Sequence, residues 1–515
     1  MTMIKSLILG SAAGLIAMSG AQAADLPVKA KAVEYVKICS LYGAGFYYIP
    51  GTDTCIKIGG AIRLDTAFNG GSYDVPFLQG GAGGNNLWTK NNFTTRERLN
   101  LTEDTRTATE YGVLRTYANV QFDFLQGRET IAGGYVEVDY AFIQFAGFTL
   151  GKAVSQFDPQ WTLARPNISS GLFQGSNNAT GIAQIAYTAS FGNGVSGTIS
   201  LEDGQPYRTA GVYNTSGFIL APGANPFLTI GYGGSPNGGT NTFLGNAAGG
   251  DHIPEIVGNI KVDQAWGTFN FGAAGHNITT GFNTANSNLT GHPDDKWGYA
   301  VTAGLSLTQL PTGTGDRFLV EATYADGAAK YVFGGTVDTT GGGRFSRVNG
   351  NSLGFGYILD GVFAPGGSIQ TSKAWQVDAA FEHYWTPQWR TSVFGSYSKI
   401  SYGGAGDALL AAAFGAGGRL GIQAASTAAI SPITAGILNA TGNFSLSVAQ
   451  IGTKTAWTPV KDLTFSAEFI YSRLGQGLSG TYTSVAAPTG QTAGQVFNLG
   501  NQNTYNGAVQ AIRSF

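Results

Sequence analysis

The sequence predicts an all-β protein, a closed antiparallel barrel of sixteen strands that crosses a membrane. Three observations predict it: segments alternating between apolar and polar residues recur along the chain, the connections between them run long, short, long, short, and their number is even. Composition excludes most other classes. Charged residues are 12% of the 515, against roughly 25% in an average soluble domain. The 31 Phe, 23 Tyr and 8 Trp are too many aromatics for a disordered coil. The 78 glycines follow no period of three, as collagen would require, and Glu, Lys and Leu are too scarce for a coiled coil. A net charge of −2 and a pI of 6.1 argue against nucleic acid as a partner.

Residues 1–23 read as an export signal. Lys5 supplies the positive start, Ser6 to Met18 is apolar, and Ala21-Gln22-Ala23 is a cleavage site of small residues. Residues 24–56 read as an N-terminal periplasmic segment. It carries the chain's two cysteines, Cys39 and Cys55. An exported compartment favours a disulfide between them; two buried thiols are the alternative. The four histidines make no metal-ligand spacing with these cysteines.

Residues 57–515 hold the strands, expected at 57–68, 92–104, 111–124, 133–145, 148–157, 180–191, 195–203, 253–263, 267–279, 296–308, 315–326, 374–385, 389–402, 441–456, 461–474 and 503–515. In the first, Lys57, Arg63 and Asp65 alternate with Ile58, Ile62 and Leu64. In the third, Arg115, Tyr117, Asn119, Gln121 and Asp123 alternate with Leu114, Ala118, Val120 and Phe122. The segments Trp375–Tyr384 and Leu463–Tyr471 repeat the pattern.

A β-sandwich would also alternate, so the connections decide. Short ones include Ala146-Gly147, Gly192-Asn193-Gly194, Asp263 to Trp266, Trp385-Thr386-Pro387 and Trp457-Thr458-Pro459. Long ones fall at 69–91, 158–179, 204–252, 327–373, 403–440 and 475–502. Only a membrane barrel places every long loop at one end. An even count also returns the last strand to the first, leaving no unpaired edge in hydrocarbon. Phe68, Tyr111, Trp266, Trp297, Trp385, Trp389 and Trp457 sit near strand ends, where membrane interfaces collect aromatics. Phe515, closing an amphipathic last strand, is the address read by the outer-membrane assembly machinery, although Arg513 departs from the apolar residue usual there.

Val33 to Asp65, VEYVKICSLYGAGFYYIPGTDTCIKIGGAIRLD, resembles the N-terminal signature of alphaproteobacterial general porins. Tyr140 to Asp158 and Gln184 to Gly204 are similar to the stretches flanking that family's third loop. The resemblance runs nearly end to end and implies a trimeric, water-filled outer-membrane channel for small hydrophilic solutes. It also implies that the loop after strand five, 158–179, folds inward as a constriction.

Lumen parity then nominates Lys57, Arg63, Arg96, Arg98 and Arg115 as basic wall residues, with Arg96, Arg98 and Arg115 read as a cluster. Asp65, Glu137 and Asp139 are the acids. The loop offers only Asp158 and Arg165, whereas the family opposes basic walls with loop acids, so weak ion selectivity of no firm sign is expected. Ile58, Ile62, Leu64 and Phe122 face outward, toward lipid or the other subunits of a homotrimer.

No nucleophile elbow, P-loop, metalloprotease or dinucleotide motif is present, so neither enzyme chemistry nor a cofactor or metal is expected. Gly415 to Gly418 reads as a flexible loop. The apolar, charge-poor stretch within 403–440 is expected to cover the mouth, form a short helix or make a surface contact. Two other readings remain open on sequence. A substrate-selective channel on the same barrel would want an aromatic track, for which Tyr117, Tyr384 and Phe394 are the lumen candidates. A secreted β-rich binding or adhesive protein would need the apolar faces to pack on each other.

Overall fold

The structure is a computed structural model. It describes residues 37–69, 93–125, 135–159, 161, 166–168, 180–204, 210–215, 247–283, 287–333, 344–415, 436–484 and 494–515. The expected export signal and Arg165 lie outside these residues.

Sixteen antiparallel strands close into a barrel: β1 Thr54–Phe68, β2 Phe93–Thr109, β3 Gly112–Leu125, β4 Tyr135–Phe145, β5 Phe148–Ala153, β6 Ile182–Gly192, β7 Val195–Glu202, β8 Glu255–Gln264, β9 Gly267–Ile278, β10 Lys296–Leu307, β11 Arg317–Asp326, β12 Lys373–Tyr384, β13 Trp389–Ser401, β14 Gly436–Val460, β15 Leu463–Ser484 and β16 Gln502–Ser514. Each pairs with its sequence neighbours, and β16 returns to β1 from Ala61↔Ser514 to Phe68↔Gly507. Closure satisfies backbone groups that an open edge would leave bare in lipid. Among the described residues no helix is long and apolar enough to cross a membrane.

The alternation resolves into two faces. Ile58, Ile62, Leu64, Phe122, Ile260 and Val393 point outward and are exposed, while Asp65, Gln121, Asp123, Gln376 and Ser396 point inward and are buried. Aromatics pair on the outer surface. Trp389 stacks on Trp457 at 5.6 Å, and Trp375 meets Tyr397 at 5.2 Å. Such bands suit the headgroup level of a membrane.

The turns need positive φ, and the sequence supplies it. Ala146 and Gly147 lie at φ 49° and 87°, so the two-residue hairpin twists in the sense of its strands. One expected turn moves. Trp457-Thr458-Pro459 lies inside β14, which continues to Val460, and the reversal falls at Lys461-Asp462. The register is irregular between Trp457 and Val460, and Thr458 N–H donates instead to Gln388 O at 2.8 Å. A bulge tolerates the missing proline donor.

β5 is short because the chain leaves the wall after Ala153, whereas a strand to residue 157 was expected. β14 and β15, at 25 and 22 residues, run beyond the expected membrane span. Their upper parts join Lys330–Phe333, Ser352–Tyr357, Leu359–Phe363 and Val496–Leu499 around a dry core that includes Phe333, Tyr357, Leu446, Tyr482 and Phe497. The charge-poor 403–440 stretch contributes the helix Gly403–Gly415, whose Leu410 is fully buried in this core. Its Asp407 accepts from Phe444 N–H at 2.8 Å. Burial holds the Tyr402 phenol well above its usual titration range, so it remains a donor to Tyr357 O.

At the turn end, Tyr47–Tyr48 pairs with the start of β1, and Cys39 is bonded to Cys55 with their Cα atoms 6.1 Å apart. Both cysteines are buried with Phe46.

Candidate functional site in the barrel lumen

The inward face carries three groups of charge. The first sits on β1, β2 and β3. Register places Asp65 opposite Arg96 and Arg63 opposite Arg98, while Asp123 faces Arg98 from the other side. Asp65 lies 2.7 Å from the guanidinium groups of both Arg63 and Arg96. Gln510 of β16 donates to it at 2.9 Å. Arg98 grips Asp123 with two bonds of 2.6 and 3.0 Å. Bidentate pairing fixes the direction of a guanidinium as well as its position. Three arginines against two aspartates leave this group with a formal charge of +1.

The second group lies nearer the short-turn end. Asp104 takes Arg106 at 2.8 Å and Arg115 at 3.0 Å, and Arg115 also donates to Gln144 at 3.1 Å. Lys57 is opposite Asp104 in register and runs beneath Gly45 of the disulfide segment. Arg115 was expected to join Arg96 and Arg98. Instead it pairs in register with Arg106, eight positions along the strand from Arg98, which is about 26 Å at strand rise. Parity put these side chains on one face, but only register gives their depth.

The third group was not nominated from sequence. Arg317, Glu382, Ser392, Lys454 and Glu468 are consecutive register partners across β11 to β15. Glu382 lies 3.8 Å from Arg317 and 3.5 Å from Arg390. The signal was available, since Glu382 and Glu468 fall on the polar parity of their strands.

Asp139 and Glu137 sit on β4. The register with β3 shifts between Asn119 and Val120, so Asp139 is the extra residue of a bulge. Bulges re-aim side chains. Here the Asp139 carboxylate accepts from Asn119 at 3.2 Å, and its carbonyl accepts from Thr180 and Gly181, both at 3.0 Å. Beyond the bulge inward parity passes to Phe142 and Gln144. Glu137 is half-buried opposite Gln121. Asp158 is 1% exposed. It lies next to the Ser155 and Gln156 contacts with Glu202, at 2.7 and 2.8 Å, rather than on an open wall.

The segment after β5 joins the first and third groups. Trp161 packs with Leu319, Ala380, Phe394 and Ile470, all of inward parity on the far wall. Ser392 donates to Pro166 O at 2.6 Å. Arg63 donates to Ile168 O at 3.2 Å, and Ile168 N–H donates to the Glu468 carboxylate. Gly304 faces Trp161 and Pro159, which a Cβ there would approach to 2.7 and 2.8 Å. The described residues of this segment therefore touch opposite walls of the lumen. Of the aromatic track candidates, Phe394 lies beneath Trp161, Tyr384 neighbours Arg390 and Tyr117 neighbours Arg115, so they occupy three separate places.

Comparison with known proteins fits this geometry. A family described as the porin subfamily matches residues 25–507. Porin Omp2b of Brucella abortus (strain 2308) is 31% identical over 277 residues, covering 52% of this chain and 64% of that protein. Porin Omp2b of Brucella suis biovar 1 (strain 1330) is 32% identical over the same shares. The chain thus spans just under two thirds of the length of the curated relatives it matches. The outer membrane channel DcaP of Acinetobacter baumannii has a similar fold, with a TM-score of 0.53 at 14% identity, covering 91% of this chain and 99% of that one.

Proposed function

This chain belongs to the porin subfamily, and from that premise we propose that it is a passive diffusion channel for small hydrophilic solutes and ions across a bacterial outer membrane. One observation carries the reading: the strands turn most of their charge and amides inward and a largely hydrocarbon face outward. A soluble sandwich would bury the second face, and here that face is the exposed one.

The charged groups supply the chemistry of permeation. Guanidinium and carboxylate groups held in mutual bonds stay fixed while solvated solutes pass between them. Small ions feel the local field, and neutral solutes are sorted by size alone. The segment leaves the wall after β5, meets Ser392 of β13 eight strands round the ring, and is held at Ile168 by Arg63 and Glu468, which makes this level the candidate constriction. The near balance of acid and base supports weak selectivity, with a small anion preference beside Arg63, Arg96 and Arg98. The scattered placement of Tyr117, Tyr384 and Phe394 favours general diffusion over a dedicated sugar or peptide path.

The working form is proposed to be a homotrimer, exported on residues 1–23 and delivered by the assembly machinery that reads Phe515. That residue is 59% exposed and exchanges backbone bonds with Gly60 at 3.0 and 3.1 Å. Planar-bilayer recording of the purified protein tests the proposal. Discrete ohmic steps arriving in sets of three are expected; a protein that inserts and never conducts would contradict it.

A further inference from the structure

Two acids on the inner wall lack the counter-ions that the others have. Asp65, Asp104, Asp123, Glu255 and Glu382 each form an ion pair with a basic side chain. Among the described residues Glu137 and Asp139 of β4 form none. The bases around them are engaged elsewhere. Arg98 holds Asp123 at 2.6 Å, and Lys152, on the outward parity of Phe148 and Leu150, donates to Val138 O at 2.6 Å. A buried carboxylate without a countercharge is costly, and Asp139 is 3% exposed.

The oxygens beside these acids are orphaned. Asn119 Oδ1, Gln121 Oε1 and Asp139 Oδ1 are buried acceptors with no donor, and Gln121 is only 4% exposed. The Asn119 amide cannot turn to relieve this, because its Nδ2 donates to Asp139 Oδ2 at 3.2 Å. All three orphans are acceptors, so the partner that would satisfy them together is a positive charge.

Register brings the four side chains to one place. Gln121 is opposite Glu137, and Asp139 is the bulge residue that follows Val138 and sits against Asn119. Opposite residues stand about 5 Å apart at Cβ and alternate ones about 7 Å. The centre of such a quadrilateral is about 4 Å from each Cβ. Side-chain oxygens reaching toward it can therefore meet an ion at metal–oxygen distances of about 2.3–2.6 Å. All four ligands are oxygen and two are anionic, the set that hard divalent cations take, with neither the thiol nor the imidazole that zinc and copper favour. Four oxygens from one wall leave the other positions to water. That loose arrangement suits Ca²⁺ better than Mg²⁺, which demands a near-ideal octahedron. No three acids, histidines or cysteines gather as a metal cluster among the described residues, so the site depends on its two amides, and no spacing in the sequence announces it.

We propose that Asn119, Gln121, Glu137 and Asp139 bind one calcium ion on the lumen wall. The inference rests on the channel reading above and adds a ligand to its lumen. The Asp139 carbonyl accepts from Thr180 and Gly181, both at 3.0 Å. An ion on the Asp139 carboxylate therefore braces the chain where the segment after β5 rejoins the wall at β6. Occupancy also replaces two uncompensated negative charges with a neutral site, which favours the passage of anions.

The test uses full-length protein refolded free of lipopolysaccharide and stripped with chelator. Calorimetric titration with CaCl2 is expected to show one ion per chain with a dissociation constant of about 10⁻⁴–10⁻³ M, the range of extracellular calcium modules. Asp139→Asn and, separately, Glu137→Gln each remove one charge and should weaken binding roughly tenfold or more. Gln121→Leu should weaken it without altering charge, and Glu137→Gln keeps the proposal testable should Asp139→Asn fail to fold. In a KCl gradient, calcium in place of chelator should move the zero-current potential of the parent in the direction of greater chloride permeability and leave that of Asp139→Asn in place. No saturable binding to the parent, tighter binding of MgCl2 than of CaCl2, or binding that all three variants retain would overturn the proposal. Conductance of the parent in chelator reports separately, since its loss would fault the channel reading and not this site.

Discussion

Replacing Asp65 with Asn removes the anion that Arg63 and Arg96 share. The carboxylate is 3% exposed and lies 2.7 Å from both guanidinium groups. Asparagine keeps the shape and one acceptor, so the side chain stays seated while the formal charge of the five-residue group rises from +1 to +2. A unit charge felt at roughly 8 Å through water is worth about 0.5 kcal/mol, and screening at 0.1 M salt leaves about half of that. The same energy favours an anion and opposes a cation, so the chloride-to-potassium permeability ratio should rise roughly twofold. Zero-current potential in a tenfold KCl gradient should move toward the chloride side by about 15 mV. Arg98→Ser lowers the group charge from +1 to 0 and should move the potential the other way. Absence of any shift, or both variants moving in one direction, would refute the placement of this group on the conduction path.

Glu468→Gln weakens the charge-assisted bond to Ile168 N–H, worth about 1.5–3 kcal/mol, and single-channel traces should become noisier with a larger mean conductance. Gly304→Val pushes a side chain into Trp161 and Pro159, and the same two changes should appear without any altered charge; unchanged traces in both variants would show that the segment does not limit flow. Reducing Cys39–Cys55 should cost about 3 kcal/mol of stability by loop entropy, read as a lower melting temperature with conductance intact, because the bond sits at the turn end of β1, away from the Arg63 and Asp65 level. Equal melting with and without reductant would contradict that.

The barrel was legible because strand parity is local. A residue's neighbours two positions away tell which face it shares, so Lys57, Arg63 and Asp65 separate from Ile58, Ile62 and Leu64 without knowledge of any other strand. Depth is not local. Whether Arg115 stands beside Arg98 depends on register between strands, and the pairing with Arg106 separates them. The bulge at Asp139 reverses parity midway along β4, which no alternation pattern announces. The third charged group shows the reverse case, since Glu382 and Glu468 were on a readable face and became a site only when register aligned them with Arg317 and Lys454. The dry core over the mouth was least legible. Its residues, such as Leu410 of the helix, Leu446 of β14 and Phe497 of the strand Val496–Leu499, come from separate elements with no shared period.

The central claim is that one face of every strand meets hydrocarbon while the other meets water. Ala118 and Asn119 are adjacent on β3 and point to opposite faces, so Ala118→Cys and Asn119→Cys test it in otherwise identical proteins. A charged thiol reagent added to protein in a bilayer should react at position 119 and reduce the current, and leave position 118 unmodified. A lipid-quenched fluorophore should report an apolar environment at 118 and water at 119. Equal reaction at both positions, or reaction at 118 alone, would contradict the account.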